Sequence, residues 1–230
     1  MFLPRVKIPS VKRALIFSPL PEWRYYSKRF EEAKNFSWLN VNFKLLKGGG
    51  LLAGPVLSSP ALALLMELLR EKGVEEILFL GWAGKSPFAS IEMGDLFIAE
   101  RAISLEGTSK LYFKKKRVFT PEKDFFKELI NRLRKDYLSF ESGTILSVDA
   151  PWVVEQNLKD FKLPLMKAQA MDMETSALYA LASYYGIKAM ALHFITDELG
   201  KMTTLRPEKK LNPRREELLI FLRKYLLNET

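Results

Sequence analysis

Two acidic side chains stand where a ligand would meet them. Glu174 opens a helix and Asp197 closes an apolar strand. In α/β proteins ligands bind beyond the carboxyl ends of strands. A helix N-terminus turns its unpaired backbone donors to the same space. The rest of the chemical repertoire is narrow. There is no cysteine and a single histidine, His193. Thiolate chemistry is therefore excluded, and acid–base work falls to carboxylates. His193 lies mid-strand and reads as a satisfied core residue. The aspartates and glutamates show no clustered spacing, so neither a metal site nor a resident cofactor is expected.

Those two acids need elements to position them. Residues Arg13 to Ser18 read as a short apolar strand, and Pro21 sits in the first turn of a helix running to about Lys34. A strand follows at Asn42 to Leu46, then a turn at Gly48 to Gly50. Ser59 and Pro60 read as cap and first residue of a helix that Gly73 ends. Glu76 to Trp82 is a buried strand whose exit is marked by Gly81 and Gly84. Gly94 opens a strand through Ser104. Thr120 and Pro121 cap a helix to about Lys135, and a strand from Gly143 ends at Asp149. Met171 to Tyr185 has helical apolar spacing, Gly186 stops it, and Lys188 to Ile195 is the strand before Asp197. The last helix spans Arg214 to Leu227. Alternating strands and helices argue for a three-layer α/β architecture.

Bulk properties agree. At 230 residues and 48% hydrophobic, the chain fits one domain over residues 1–230 with a sizeable core. The N-terminal stretch, broken by Pro4 and charge, is not expected to act as a secretory signal, and no apolar run reaches the length of a membrane span. With no cysteine, the cytoplasm is the expected compartment. Net charge is +9, with the sharpest cluster at Lys114 to Arg117. That cluster lies between two strand-like stretches and reads as an exposed hairpin end. No nucleic-acid-binding motif accompanies it.

Several motifs then fall in a recognisable order. The stretch Asp172-Met173-Glu174-Thr175-Ser176-Ala177 resembles the Glu-Met-Glu-Ser-Ala signature of the purine nucleoside and uridine phosphorylase family. Ile195-Thr196-Asp197 is similar to that family's strand ending in Ser-Asp. Gly81 to Gly84, Met93-Gly94-Asp95, Glu106 to Ser109, Ser147 to Asp149 and Gly54-Pro55 match further motifs in sequence. The resemblance implies a central mixed β-sheet flanked by helices and a pocket for a nucleoside. It implies cleavage of a base–ribose bond through a cationic, oxocarbenium-like sugar. In that pocket Glu174 would grip ribose hydroxyls, because hydrogen bonds to an ionised group are the stronger ones. Met173 would lie under the sugar, Gly84 would let the backbone approach the ligand, and Trp152 would stack on the base. Asp197 would give a proton to N7 of a leaving purine. The family's assembly as dimers or hexamers implies a homo-oligomer.

Departures from the family pattern leave the reaction open. The phosphate motif Gly-Asp-Pro-x-Arg is here Pro19-Leu20-Pro21-Glu22-Trp23, with Arg24 one position late. Phe79 and Trp82 stand where an arginine and a hydroxyl residue are expected, and neither can make charge-assisted bonds to phosphate. Arg24, Lys44, Lys47 or Lys85 would have to rebuild an anion site for phosphate as co-substrate. Otherwise water replaces phosphate, with Glu22 as a candidate base, or the chain binds nucleosides without cleaving them. The stretch from Val153 to Lys167 has no arginine to read uracil, and Asp197 points the same way, towards a purine-type base.

Overall fold

The computed structural model describes residues 10–201 and 207–227, with the side chains of 207–210 left out. The N-terminal stretch discussed above lies outside these residues. In chain order the elements are β1 (Arg13–Phe17), α1 (Leu20–Ser27), β2 (Glu32–Trp38), β3 (Val41–Leu46), β4 (Leu51–Gly54), α2 (Ser59–Glu71), β5 (Glu76–Lys85), β6 (Leu96–Ser104), α3 (Thr108–Tyr112), β7 (Val118–Phe119), α4 (Lys123–Lys135), β8 (Glu141–Ser147), α5 (Pro151–Gln156), α6 (Lys162–Met166), β9 (Ala170–Asp172), α7 (Thr175–Tyr185), β10 (Lys188–Glu198) and α8 (Pro207–Leu227).

One mixed sheet carries the architecture. β1 lies parallel to β4 and β5, and β5 is parallel to β10. β10 runs antiparallel to β6, β6 and β8 are parallel, and β9 bridges β8 back to β5. Strands β10, β6, β8, β9 and β5 thus close on themselves, while β1, β4, β3 and β2 extend the open side.

Period-two alternation sorts the sheet's side chains into two cores. Ala14, Ile16, Ile77, Phe79, Ala189 and Ala191 face a cluster shared with α2 and α7. Leu15, Phe17, Leu78, Leu80, Met190 and Leu192 face the opposite cluster, with α1, α4 and α8. Strands buried on both faces read as continuous apolar runs, which is why β1, β5 and β10 are legible in the sequence. Among the described residues no helix is long and apolar enough to cross a membrane.

Several boundaries differ from the sequence reading. α1 stops at Ser27, and Glu32–Trp38 is a strand paired with β3. The connecting residues Leu39 and Asn40 both have positive φ, at 46° and 64°, as a tight hairpin turn requires. Phe36 stacks on Phe43 across the pair, at 4.7 Å between ring centroids. α7 starts at Thr175 rather than Met171, because Met171 and Asp172 are spent on strand pairing with β5 and β8. Ser58, not Ser59, caps α2, and Glu122 caps α4 through the N–H groups of Asp124 and Phe125. Gly81 and Gly84 lie inside β5 rather than at its exit. The last helix begins at Pro207 and runs through Pro213. Lys114 to Arg117 are exposed between α3 and β7.

Candidate functional site

The site gathers at the carboxyl ends of β1, β5 and β10, around the corner between β9 and α7. A cavity of about 220 Å³ is lined there by Ser18, Trp82, Gly84, Glu155, Met173, Glu174 and Asp197, among others. Glu174, Met173, Asp197 and Gly84 are therefore brought together. Trp152, Glu22 and Arg24 do not line it.

Glu174 is fixed from two sides. It stands at the N-cap position of α7, where the backbone turns out of β9. Its Oε1 accepts the Ser58 backbone N–H at 2.8 Å, and Ser59 Oγ donates to the Met173 carbonyl at 2.6 Å. The start of α2 thus grips the corner that carries Glu174. Ser58 does so with a positive φ of 114°, a strained conformation for a residue with a side chain. Glu174 is buried, and burial first, then the charge of Asp172, pushes its carboxyl from 4.5 up to about 8. The N–H groups of Ser58 and Met173 and the Ser18 hydroxyl pull in the opposite direction without cancelling this.

Asp172 is held more completely. Ser147 Oγ donates to Oδ1 at 2.6 Å, while the Thr175 N–H and hydroxyl donate to Oδ2 at 2.9 and 2.6 Å. Since the Thr175 hydroxyl gives its proton to Asp172, it must accept at 2.9 Å from His193 Nε2. The ring is fully buried, and desolvation lowers its pKa, so it stays neutral. Nδ1 makes no hydrogen bond of good geometry among the described residues, although the Trp82 backbone is near enough to favour its protonation slightly. Gly81 makes room for it, since a Cβ there would meet Nδ1 at 2.8 Å. This polar chain continues inward. The Ser176 N–H bonds Ser147 Oγ, and Ser176 Oγ bonds the buried Glu106 carboxylate, each at 2.9 Å. The motifs around Glu106 and Ser147 thus build the floor behind the cavity.

Asp197 follows a register shift in the β10–β5 pairing between Ile195 and Asp197. Its Oδ1 accepts the Thr196 hydroxyl at 2.7 Å. Gly84 lies beside it, and a Cβ there would meet Asp197 Oδ2 at 2.7 Å. Glu155, on α5, is a lining carboxylate that the sequence reading missed. Its helix is six residues long and carries no motif.

The remaining candidates are placed elsewhere. Glu22 is fully buried: Arg215 Nε donates to its Oε2 at 3.0 Å, Arg215 Nη2 to its Oε1 at 2.5 Å, and Trp82 Nε1 to its Oε1 at 2.9 Å. Its lone pairs are committed to that ion pair, and water does not reach it. Glu22 is neither the solvated first-turn glutamate nor a base within reach of the cavity. Arg24 is exposed, and Trp152 is 63% exposed. Lys44, Lys47 and Lys85 pair with Glu32, Glu31 and Glu198. No arginine or lysine among the described residues lines the cavity, whereas Glu155, Asp172, Glu174 and Asp197 all do.

A closed mixed sheet between two helical layers, with acids gathered at this corner, defines an α/β class of protein. A model of the phosphorylase superfamily matches residues 29–226, and the chain belongs to that family. It is 27% identical over 163 residues to a uridine phosphorylase of Thermococcus kodakarensis, covering 63% of this chain and 58% of that one. It is 31% identical over 133 residues to a guanosine phosphorylase of Halorubrum lacusprofundi, covering 58% and 54%. The matches thus span somewhat over half the length of these curated relatives. Among solved structures, the Toxoplasma gondii purine nucleoside phosphorylase in complex with immucillin-H has a TM-score of 0.82 at 13% identity, covering 99% of this chain and 98% of that one. The Campylobacter jejuni 5'-methylthioadenosine/S-adenosyl homocysteine nucleosidase has a TM-score of 0.79 at 14% identity, covering 95% and 100%. At these identities the structural likeness shows the shared fold.

Proposed function

We propose that this chain cleaves the N-ribosyl bond of a purine-type nucleoside, with water rather than phosphate as the acceptor of the ribose. The observation that carries this reading is the sign of the cavity. Its four ionisable lining groups, Glu155, Asp172, Glu174 and Asp197, are all acids. As the bond to the base breaks, the sugar gains positive charge in a cavity whose ionisable lining groups are acids, with no lysine or arginine among the described lining residues to oppose that charge. That favours the transition state over the neutral substrate. The same lining offers a phosphate dianion none of the charged donors it needs.

Each step balances on groups in the cavity. Glu174 receives the ribose hydroxyls, over the thioether of Met173. The bond between C1′ and the base nitrogen breaks with its electron pair moving into the purine. Asp197 supplies the proton that neutralises the base at N7. A water oxygen bonds C1′, and the proton it gives up returns a cavity carboxylate to its acid form. Phosphorolysis is the second reading, favoured by the names of the curated relatives, both phosphorylases.

Incubating the purified protein with adenosine, guanosine, inosine and uridine, with and without phosphate, separates the readings. Base release from a purine nucleoside at an unchanged rate without phosphate is the expected result. Release that requires phosphate sinks hydrolysis, and release from uridine alone sinks the purine assignment. Binding without any release leaves a non-catalytic nucleoside-binding protein.

A further inference from the structure

Behind the cavity, three N–H donors converge on one carboxylate. Arg215 Nε donates to Glu22 Oε2 at 3.0 Å, Arg215 Nη2 to Oε1 at 2.5 Å, and Trp82 Nε1 to Oε1 at 2.9 Å. Glu22 is 0% exposed and Arg215 4%. Trp82 belongs to the cavity lining, so its indole reaches from the wall of the site to this buried pair. Ser18 and Pro19, which lead into α1, line the same cavity. Trp82, read in the sequence as unable to serve an anion, therefore does donate to one. A guanidinium fork and an indole N–H arranged in this way make an anion site, and its occupant is the chain's own carboxylate. Arg215 forms no other ion pair among the described residues.

Resting on the hydrolytic reading above, we infer that Glu22 is a specificity-determining residue for the acceptor: its carboxylate is the tethered occupant of an anion site made by Arg215 and Trp82, and it keeps inorganic phosphate out of the reaction. Charge and space carry the argument. A buried guanidinium needs an anion, and removing the one it has leaves it stranded. A carboxylate fixed to the chain is present at a high effective concentration, so a free anion in solution does not displace it. Cutting Glu22 back to alanine removes one CH2–COO− group. The three donors then face an acetate-sized space next to the cavity wall, and a dissolved anion can supply the missing charge. The Trp82 indole, half-buried and freed of its acceptor, is the part that yields to a larger oxyanion. Phosphate taken up there stands at the edge of the cavity. One of its oxygens can then bond C1′ in place of water, while the base leaves with the bonding pair and the Asp197 proton.

The test melts Glu22→Ala, wild type and Glu22→Ala/Arg215→Met in sodium phosphate and in sodium chloride of equal ionic strength. Phosphate is expected to raise the melting temperature of Glu22→Ala by about 5 °C at a hundredfold excess over its dissociation constant, and to do nothing specific for the other two. Sodium acetate, which matches the deleted group, is the size control. Stabilisation by acetate but not by phosphate overturns the assignment, and so does a phosphate effect that survives the loss of Arg215. If Glu22→Ala is recovered only unfolded, refolding from urea in each salt replaces the melt: recovery in phosphate but not in chloride supports the site, and failure in phosphate overturns it. The sugar product from a purine nucleoside in phosphate is then followed. Wild type is expected to give free ribose, and Glu22→Ala to give ribose 1-phosphate. Free ribose alone from the phosphate-bound variant removes Glu22 from its role while leaving hydrolysis standing. Ribose 1-phosphate from wild type sinks the hydrolytic reading and this inference with it. If neither protein cleaves a nucleoside, the proposed reaction fails, and the melts alone still decide the anion site.

Discussion

Glu174 shows how the needs of a site act against stability at a single residue. Its carboxyl is raised from 4.5 to about 8 by burial and by Asp172. Between those values the unfolded chain has released this proton and the folded chain still holds it. Stability from this group is therefore full below about 4.5 and is lost as pH rises towards 8. Glu174→Gln, which keeps an oxygen for the Ser58 N–H, should abolish that fall. Thermal melts from pH 5 to 8 will check it: the variant's advantage over wild type grows with pH, and a constant difference would contradict the burial argument. The same substitution should weaken nucleoside binding. Asp197 is expected to behave differently, because its proposed role lies in the transition state. Asp197→Asn should slow base release by about 100-fold or more, the usual worth of a positioned acid, with affinity changed little. Both residues were legible because they fall, in order, in motifs that resemble those of the family; an acid at a helix N-terminus alone is ordinary. Glu155 was not, since its short helix follows neither a periodic pattern nor a motif.

Elements explain why Glu22 escaped a correct reading. Its first-turn position on α1 is visible in the sequence, but its partner Arg215 on α8 lies 193 residues away. Nothing local signals that a charge will be buried by so distant a helix. Removing one member of a buried pair strands the other, at a cost of about 3–5 kcal/mol. Arg215→Met should accordingly lower the urea midpoint, and adding Glu22→Gln should recover part of the loss. An unchanged midpoint in Arg215→Met would show that the pair does not hold α8 to α1. The β5–β10 pairing gives a second prediction. A methyl at Gly84 would meet Asp197 Oδ2 at 2.7 Å and Leu199 Cδ2 at 2.8 Å. Gly84→Ala should displace Asp197 and reduce turnover by up to about 100-fold, since displacements near 1 Å can cost that much. Steady-state rates beside a melt of the variant will show whether turnover falls while the fold holds.

Across the whole molecule, the buried parallel strands and their flanking helices were readable from continuous apolar runs and turn residues. The closure of the sheet was not, because β9 is three residues long and pairs only through its place between β5 and β8. The edge hairpin of β2 and β3 was half missed, since the alternation in β2 is written in polar residues. Charge was the least transferable signal. The chain carries +9 overall, while the described lining of its cavity is entirely acidic among ionisable groups. On the proposed reading, that inversion favours water over phosphate as the acceptor. The most direct measurement is the sugar product formed from a cleaved nucleoside in excess inorganic phosphate, followed by phosphorus NMR. Free ribose with no new phosphorus signal is the predicted result; accumulation of ribose 1-phosphate would contradict the account.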